Sequence, residues 1–200
     1  QKLWNKIFMN FFFLRHTSLN IGKDIFYGQT DLDVSKNFHK ELKNIKIKLK
    51  KEITNLDKIK IFSSTLKRCV KLAQGISKDI FFDEKLKELD LGDWEMIPKK
   101  KIPKELVKEW EDNLMTFRIP NGESNQDFLK RLKKFLDEIK KRNEDVLIVS
   151  HAGSINGMMS ILTGQPFDKL LKNYWEKIDY GSLSLVESVG NSFNIKYVGK

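Results

Sequence analysis

Phe8 to Thr17 reads FMNFFFLRHT, and Asp145 to Gly153 reads DVLIVSHAG. Each is a short apolar run that ends on a histidine. Apolar runs of this length, rich in β-branched and aromatic residues, read as strands buried on both faces, and such strands belong to parallel sheets covered by helices. Phe8 to Leu14 and Asp145 to Ser150 are therefore predicted strands. Others are predicted at Lys58 to Phe62 (KIKIF), at Ile80 to Phe82, and in a late pair near Ser182 to Glu187 and Phe193 to Val198.

Amphipathic stretches lie between them. Leu66 to Ser77 has helical periodicity, and Ser124 to Arg142 places Phe128, Leu132, Phe135, Leu136 and Ile139 on one face. Ser124, followed three residues later by Asp127, resembles a capping box, and Gly122 breaks what precedes it. The alternation is an α/β pattern, with a mostly parallel central sheet flanked by helices. No repeat or flexible linker divides the 200 residues, so a single domain is expected over 9–200. Residues 1–8, upstream of or abutting Met9, are read as an extension. Met96 to Pro120 contains three prolines and a short helical piece; it reads as a lid-like insertion over one edge of the sheet, where insertions often shape substrate entry.

The composition narrows the class of function. No apolar run approaches the roughly 20 residues of a membrane span, and Ile7 to Leu14 runs into Arg15 without a small-residue cleavage site. A lone cysteine, Cys69, cannot form an intrachain disulfide and agrees with a reducing, cytoplasmic setting. The net charge of +10 invites a nucleic-acid reading, but 32 of the 37 basic residues are lysines mixed with acidic residues along helices. That is a solvated surface able to steer anionic substrates, without the clustered stripe and interleaved aromatics of a nucleic-acid binder.

Ligands of open α/β sheets sit beyond the carboxyl ends of strands. Two of the three histidines, His16 and His151, stand at such ends. Arg15 and Arg68, two of only five arginines, also lie close after strands, and a guanidinium fork suits phosphate oxygens. His39 lies in a lysine-rich helical stretch and carries no motif.

The ordered blocks Arg15-His16-Thr17, Tyr27-Gly28-Gln29-Thr30-Asp31, Ser63 to Cys69, Glu88 to Glu95 (ELDLGDWE), Pro120 to Ser124 (PNGES) and Ser150 to Gly153 resemble the histidine phosphatase (phosphoglycerate mutase-like) superfamily. Within it, Thr17 and the Tyr-Gly-Gln-Thr-Asp segment resemble the α-ribazole phosphatase group of cobalamin biosynthesis. The resemblance implies a three-layer phosphoglycerate mutase-like fold and a phosphatase that needs neither cofactor nor metal. It implies that His16 is the nucleophile, that Arg15, Arg68 and His151 hold the phosphoryl group, and that Glu88 donates a proton to the leaving alcohol. Tyr27, Gln29 and Ser64 are further substrate-binding candidates, although a polar turn around Gly28 and a helix cap at Ser64 account for the same residues. Trp94 and Trp175 could offer an aromatic wall or be core.

The chain departs from that pattern in three places. Thr17 and Met96 stand where relatives commonly have glycine, and no asparagine matches the one that relatives place shortly after the nucleophile: Asn20 comes early and Gly22 occupies the ungapped position. The substrate implied is a small phosphate monoester, α-ribazole 5'-phosphate or adenosylcobalamin 5'-phosphate. A broad-specificity phosphatase is the alternative, a phosphoglycerate mutase a more distant one. A basic nucleic-acid-binding module or a catalytically dead interaction protein would be a different class. The intact set of Arg15, His16, Arg68, Glu88 and His151 speaks against a dead enzyme.

Overall fold

The computed structural model of the protein describes residues 8–200. Apart from Phe8, the expected upstream extension lies outside the described residues. In chain order the elements are β1 (Asn10–Arg15), α1 (Phe38–Glu52), β2 (Lys60–Ser63), α2 (Lys67–Ile76), β3 (Ile80–Phe82), α3 (Lys104–Asp112), α4 (Asn125–Lys140), β4 (Val146–Ser150), α5 (Ala152–Thr163), α6 (Phe167–Tyr174), β5 (Leu183–Val189) and β6 (Ser192–Tyr197). All six predicted strands are present, with ends shifted by at most two residues. Helix α6 has no counterpart in the sequence reading.

The six strands form one sheet in the order β3-β2-β4-β1-β5-β6. Strands β3, β2, β4 and β1 are mutually parallel, β5 pairs antiparallel with β1, and β6 pairs antiparallel with β5. Side chains alternate across the pleat, so β1 feeds two cores. Phe11 and Phe13 join Val146 and Ile148 of β4 beneath Phe128, Leu132 and Phe135 of α4 and Ile155 and Met158 of α5. On the opposite face, Phe12, Leu14, Leu147 and Val149 meet Ile45 and Leu49 of α1 and Cys69, Leu72 and Ala73 of α2. The result is three layers, helices on both faces of a mostly parallel sheet, as the strand patterning requires.

Ser124 caps α4 by accepting a hydrogen bond from Asp127 N at 3.2 Å. The box is only half built, because the Asp127 carboxylate pairs with Arg118. No helix among the described residues is long and apolar enough to cross a membrane.

The segment from Met96 to Pro120 contains α3 and has a small core of its own. Ile102 and Ile119 pack with Leu91 and Trp94, and Phe26 and Trp110 lie against them. Three backbone bonds tie it to the loop after β1: Phe26 N donates to Ile97 O at 3.1 Å, Met96 N to Phe26 O at 2.7 Å and Lys99 N to Asp24 O at 2.8 Å. Trp94, 4% exposed, is therefore core.

Met96 adopts φ 60°, the left-handed region that glycine enters freely and that costs other residues roughly 1–2 kcal/mol. The chain adopts a glycine-type conformation with a methionine that is 43% exposed. Met96→Gly is expected to raise the unfolding free energy by about 0.5–1 kcal/mol in chemical denaturation. Adding a glycine ordinarily has the reverse sign.

Candidate active site

Strand register brings the two histidines together. Arg15 of β1 lies opposite Ser150 of β4, and His16 N donates to Ser150 O at 3.1 Å. The next residues off the two strands, His16 and His151, thus leave the sheet side by side, with ring centroids 5.3 Å apart. Each is 1% exposed. Strand β2, on the other side of β4, delivers Ser63 and Ser64 at its end, and α2 begins immediately beyond with Arg68 in its first turn.

Arg68 is completely buried, so its charge must be met by internal acceptors. It donates from Nε to His151 Nδ1 at 3.3 Å, from one terminal nitrogen to Thr30 O at 2.8 Å and from the other to Gly28 O at 2.6 Å. Because an arginine Nε–H can only donate, His151 Nδ1 is the acceptor. Its Nε2 therefore carries the proton and donates to Ser64 Oγ at 2.9 Å.

His16 has the opposite tautomer. Its Nδ1 lies 2.8 Å from Thr17 O, a group that only accepts, so Nδ1 holds the proton and Nε2 keeps its lone pair. Burial first, then the Arg15 and Arg68 cations, hold His16 well below the usual histidine pKa of 6.5 despite the opposing Thr17 bond. Burial, then Arg68, His16, Arg15 and Arg131, do the same for His151. Both rings are neutral near pH 7. Arg15 donates to Ile178 O at 2.7 Å, while its Nε is buried with no protein partner, as is the Thr17 hydroxyl.

Glu88 reaches the same place from the loop after β3. Its carboxylate accepts from Gly153 N at 2.8 Å, Leu89 N at 3.0 Å and Ser154 Oγ at 3.4 Å, two of these donors being in the first turn of α5. The approach needs Gly153, since a Cβ there would fall 2.5 Å from a Glu88 oxygen. All five residues assigned from sequence to the phosphoryl chemistry converge at the carboxyl ends of β1, β2 and β4.

Residues 11–200 match the histidine phosphatase superfamily (branch 1). The chain belongs to that family. This histidine phosphatase is 27% identical over 171 residues to phosphoserine phosphatase 1 of Hydrogenobacter thermophilus, a match covering 81% of this chain and 79% of that protein. Among solved structures, a mutant phosphoserine phosphatase of Entamoeba histolytica in complex with phosphoserine superposes with a TM-score of 0.80 at 18% identity, covering 96% and 97% of the two chains. The α-ribazole phosphatase of Shigella flexneri superposes with a TM-score of 0.77 at 21% identity, covering 96% of each. The fold is that of these proteins, and the chain is a phosphatase acting on phosphoric monoesters.

Around the histidine phosphatase centre, the outer candidates also find places. Gln29 donates to Glu88 O at 3.1 Å, and the Tyr27 ring lies 5.3 Å from the Arg68 guanidinium. Ser64 accepts from Leu66 N at 3.4 Å, but Leu66, the N-cap of α2, has no side-chain cap, and the shorter bond of Ser64 is to His151. Trp175 is 52% exposed just after α6. Asn20 and Gly22 are both exposed. Cys69, although beside His151, is fully buried, and burial pushes its thiol up to about 12, so it stays protonated. Among the described residues no group of three or more His, Cys, Asp or Glu side chains is gathered to hold a metal ion.

Three residues escaped the sequence reading. Glu95 accepts from the backbone N–H groups of Gly28, Gln29, Thr30 and Leu91 and from the Thr30 hydroxyl. Burial opposes its charge, but these bonds outweigh burial and lower its pKa. It fixes the loop whose carbonyls receive Arg68. Arg131 holds the Glu88 loop by donating to Lys85 O, Lys87 O and Glu88 O while paired with Glu123. Tyr180 lies with its ring 5.6 Å from that of His16 and 4.2 Å from the Arg15 guanidinium carbon. Glu95 sat within a quoted acidic run, whereas Arg131 and Tyr180 carried no motif.

Two outcomes follow from this geometry. Gly153→Ala displaces the Glu88 carboxyl, and kcat is expected to fall about 10²-fold with the melting transition still cooperative. In a proton NMR titration, the ring signals of His16 and His151 are expected to stay at their neutral positions as pH falls through 6.5. Their depressed folded pKa values mean that the unfolded chain binds protons first. Their contribution to stability is therefore complete above about pH 6.5 and is lost as pH falls toward the folded values.

Proposed function

We propose that this enzyme hydrolyses its ester in two displacements, with His16 Nε2 as the atom that is phosphorylated. The observation that carries the reading is the bond from His16 Nδ1–H to the Thr17 carbonyl. It leaves a lone pair on a neutral ring, next to two guanidinium groups and a second imidazole whose Nε2–H can donate.

In the first step the Nε2 lone pair attacks phosphorus and the bond to the ester oxygen breaks. Arg15, Arg68 and His151 then bind the equatorial oxygens as charge spreads over them. Glu88 passes a proton to the departing alkoxide. In the second step water attacks the phosphohistidine, its proton goes to Glu88, and the N–P bond breaks to release inorganic phosphate. The protein thereby returns to its starting protonation. Thr17 has a second part in this scheme: its buried hydroxyl and Arg15 Nε, both without protein partners, are available to the phosphoryl group in place of the asparagine that relatives carry.

For the alcohol, our reading is the ribazole nucleoside of α-ribazole 5'-phosphate, or its adenosylcobalamin counterpart. Thr17 and Tyr27 to Asp31 support it, with Tyr27 and Gln29 at the rim of the centre. Phosphoserine is the second reading, favoured by the 27% identity to phosphoserine phosphatase 1 over most of both chains.

Phosphate release measured in EDTA from α-ribazole phosphate, phosphoserine, an aryl phosphate and phosphoglycerate tests both levels. The expected result is highest kcat/KM with α-ribazole phosphate, and at least about 10³-fold loss in His16→Ala on every ester. Preference for phosphoserine would select the second reading. Undiminished release by His16→Ala would reject the mechanism.

A further inference from the structure

His16 and His151 are each 1% exposed and Arg68 not at all, so an ester reaches them only if something moves aside. Two tyrosines stand against this centre from opposite ends of the chain. The Tyr180 ring touches His16 and stacks on Arg15. The Tyr27 ring faces Arg68. Their hydroxyls are 2.9 Å apart, a single hydrogen bond joining residues 153 positions distant in sequence.

Both halves are anchored through their backbones. Tyr180 is fixed to the strand end, since Gly181 N donates to His16 O at 3.0 Å and Arg15 N to Ser182 O at 3.1 Å, and Lys48 Nζ donates to Gly181 O at 3.1 Å. Tyr27 belongs to the loop that Glu95 gathers and that is bonded through Phe26 to the Met96–Pro120 segment.

We propose that Tyr27 and Tyr180 form a clasp over the phosphoryl pocket, and that the clasp selects alcohols carrying hydroxyl groups of their own near the ester, as a sugar ring does. Admitting an ester parts the two phenols by a turn of the Tyr27 side chain, its backbone staying on Glu95 and Arg68. Each half-buried hydroxyl then loses its partner, a penalty that remains unless the incoming alcohol replaces the bond. A ribosyl ester has hydroxyl donors and acceptors to do so for both phenols, whereas a plain cyclic ether offers one acceptor and no donor. Tyr180 is on this account a specificity-determining residue, alongside Tyr27. The inference rests on His16 as the phosphoryl acceptor and names the class of alcohol that this site takes.

The test compares methyl riboside 5-phosphate with methyl 2,3-dideoxyriboside 5-phosphate, the same ring ester without ring hydroxyls, in wild type, Tyr27→Phe, Tyr180→Phe and the double variant. Wild type is expected to favour the riboside about tenfold in kcat/KM. Each phenylalanine variant should bring the two esters to within about twofold, through a higher KM for the riboside and a lower one for the hydroxyl-free ester. The double variant should add little, because the hydroxyls act as a pair. A ratio unmoved in all variants, or equal losses on both esters, would overturn the clasp. His16→Ala separates the two claims: activity surviving in that variant removes the phosphohistidine reading, whereas an inactive His16→Ala beside an unmoved ratio removes the clasp alone.

Discussion

Everything at this site hangs on the parallel pairing of β1 with β4. Because Arg15 stands opposite Ser150, the residues that follow turn out of the sheet together and place two imidazoles within contact. A slip of one residue would invert every side chain of β1, moving Phe11 and Phe13 out of one core and separating the histidines. The two cores that alternate along β1 therefore specify the register, and the register specifies the site. Packing and chemistry share one constraint.

A second constraint is the buried Arg68 guanidinium. An unpaired charge at that depth would be severely unfavourable, and the protein meets it with the carbonyls of Gly28 and Thr30 and with His151 Nδ1. Those carbonyls are presented by a loop that is gathered onto Glu95 through three backbone N–H groups and a hydroxyl. Glu95, remote from the reacting atoms in sequence, thus reaches them through Arg68. The same arrangement sets the tautomer of His151, as the Thr17 carbonyl sets that of His16. Two cations beside two neutral rings make a pocket suited to a phosphate dianion, with a lone pair kept free for it.

Much of this was legible in the sequence because it is local. Strand patterning with a histidine at each strand end gave the layers and both imidazoles, and the block around Arg68 followed from its place after KIKIF. The order in which strands neighbour one another is a long-range property, so the sequence could propose that His16 and His151 share a site without showing that β4 separates β1 from β2. Trp94 could be read as wall or core, and only the packing of Phe26, Trp110 and Phe117 around it decides for core. Met96 looked like a departure, yet its own backbone is in the left-handed region that glycine enters freely. Tyr180 was invisible because nothing in its own neighbourhood indicates that β5 returns antiparallel beside β1 and carries the preceding loop onto the nucleophile candidate.

The central claim is a phosphoryl group on one ring nitrogen. Rapid quenching of wild-type turnover into alkali, followed by digestion and mass spectrometry, tests it most directly. The account predicts one phosphoryl group on the peptide containing His16, formed before the steady state, stable in alkali and lost in acid. A phosphoryl group on His151 instead, or none on any peptide while phosphate is being released with inverted stereochemistry at phosphorus, would contradict it.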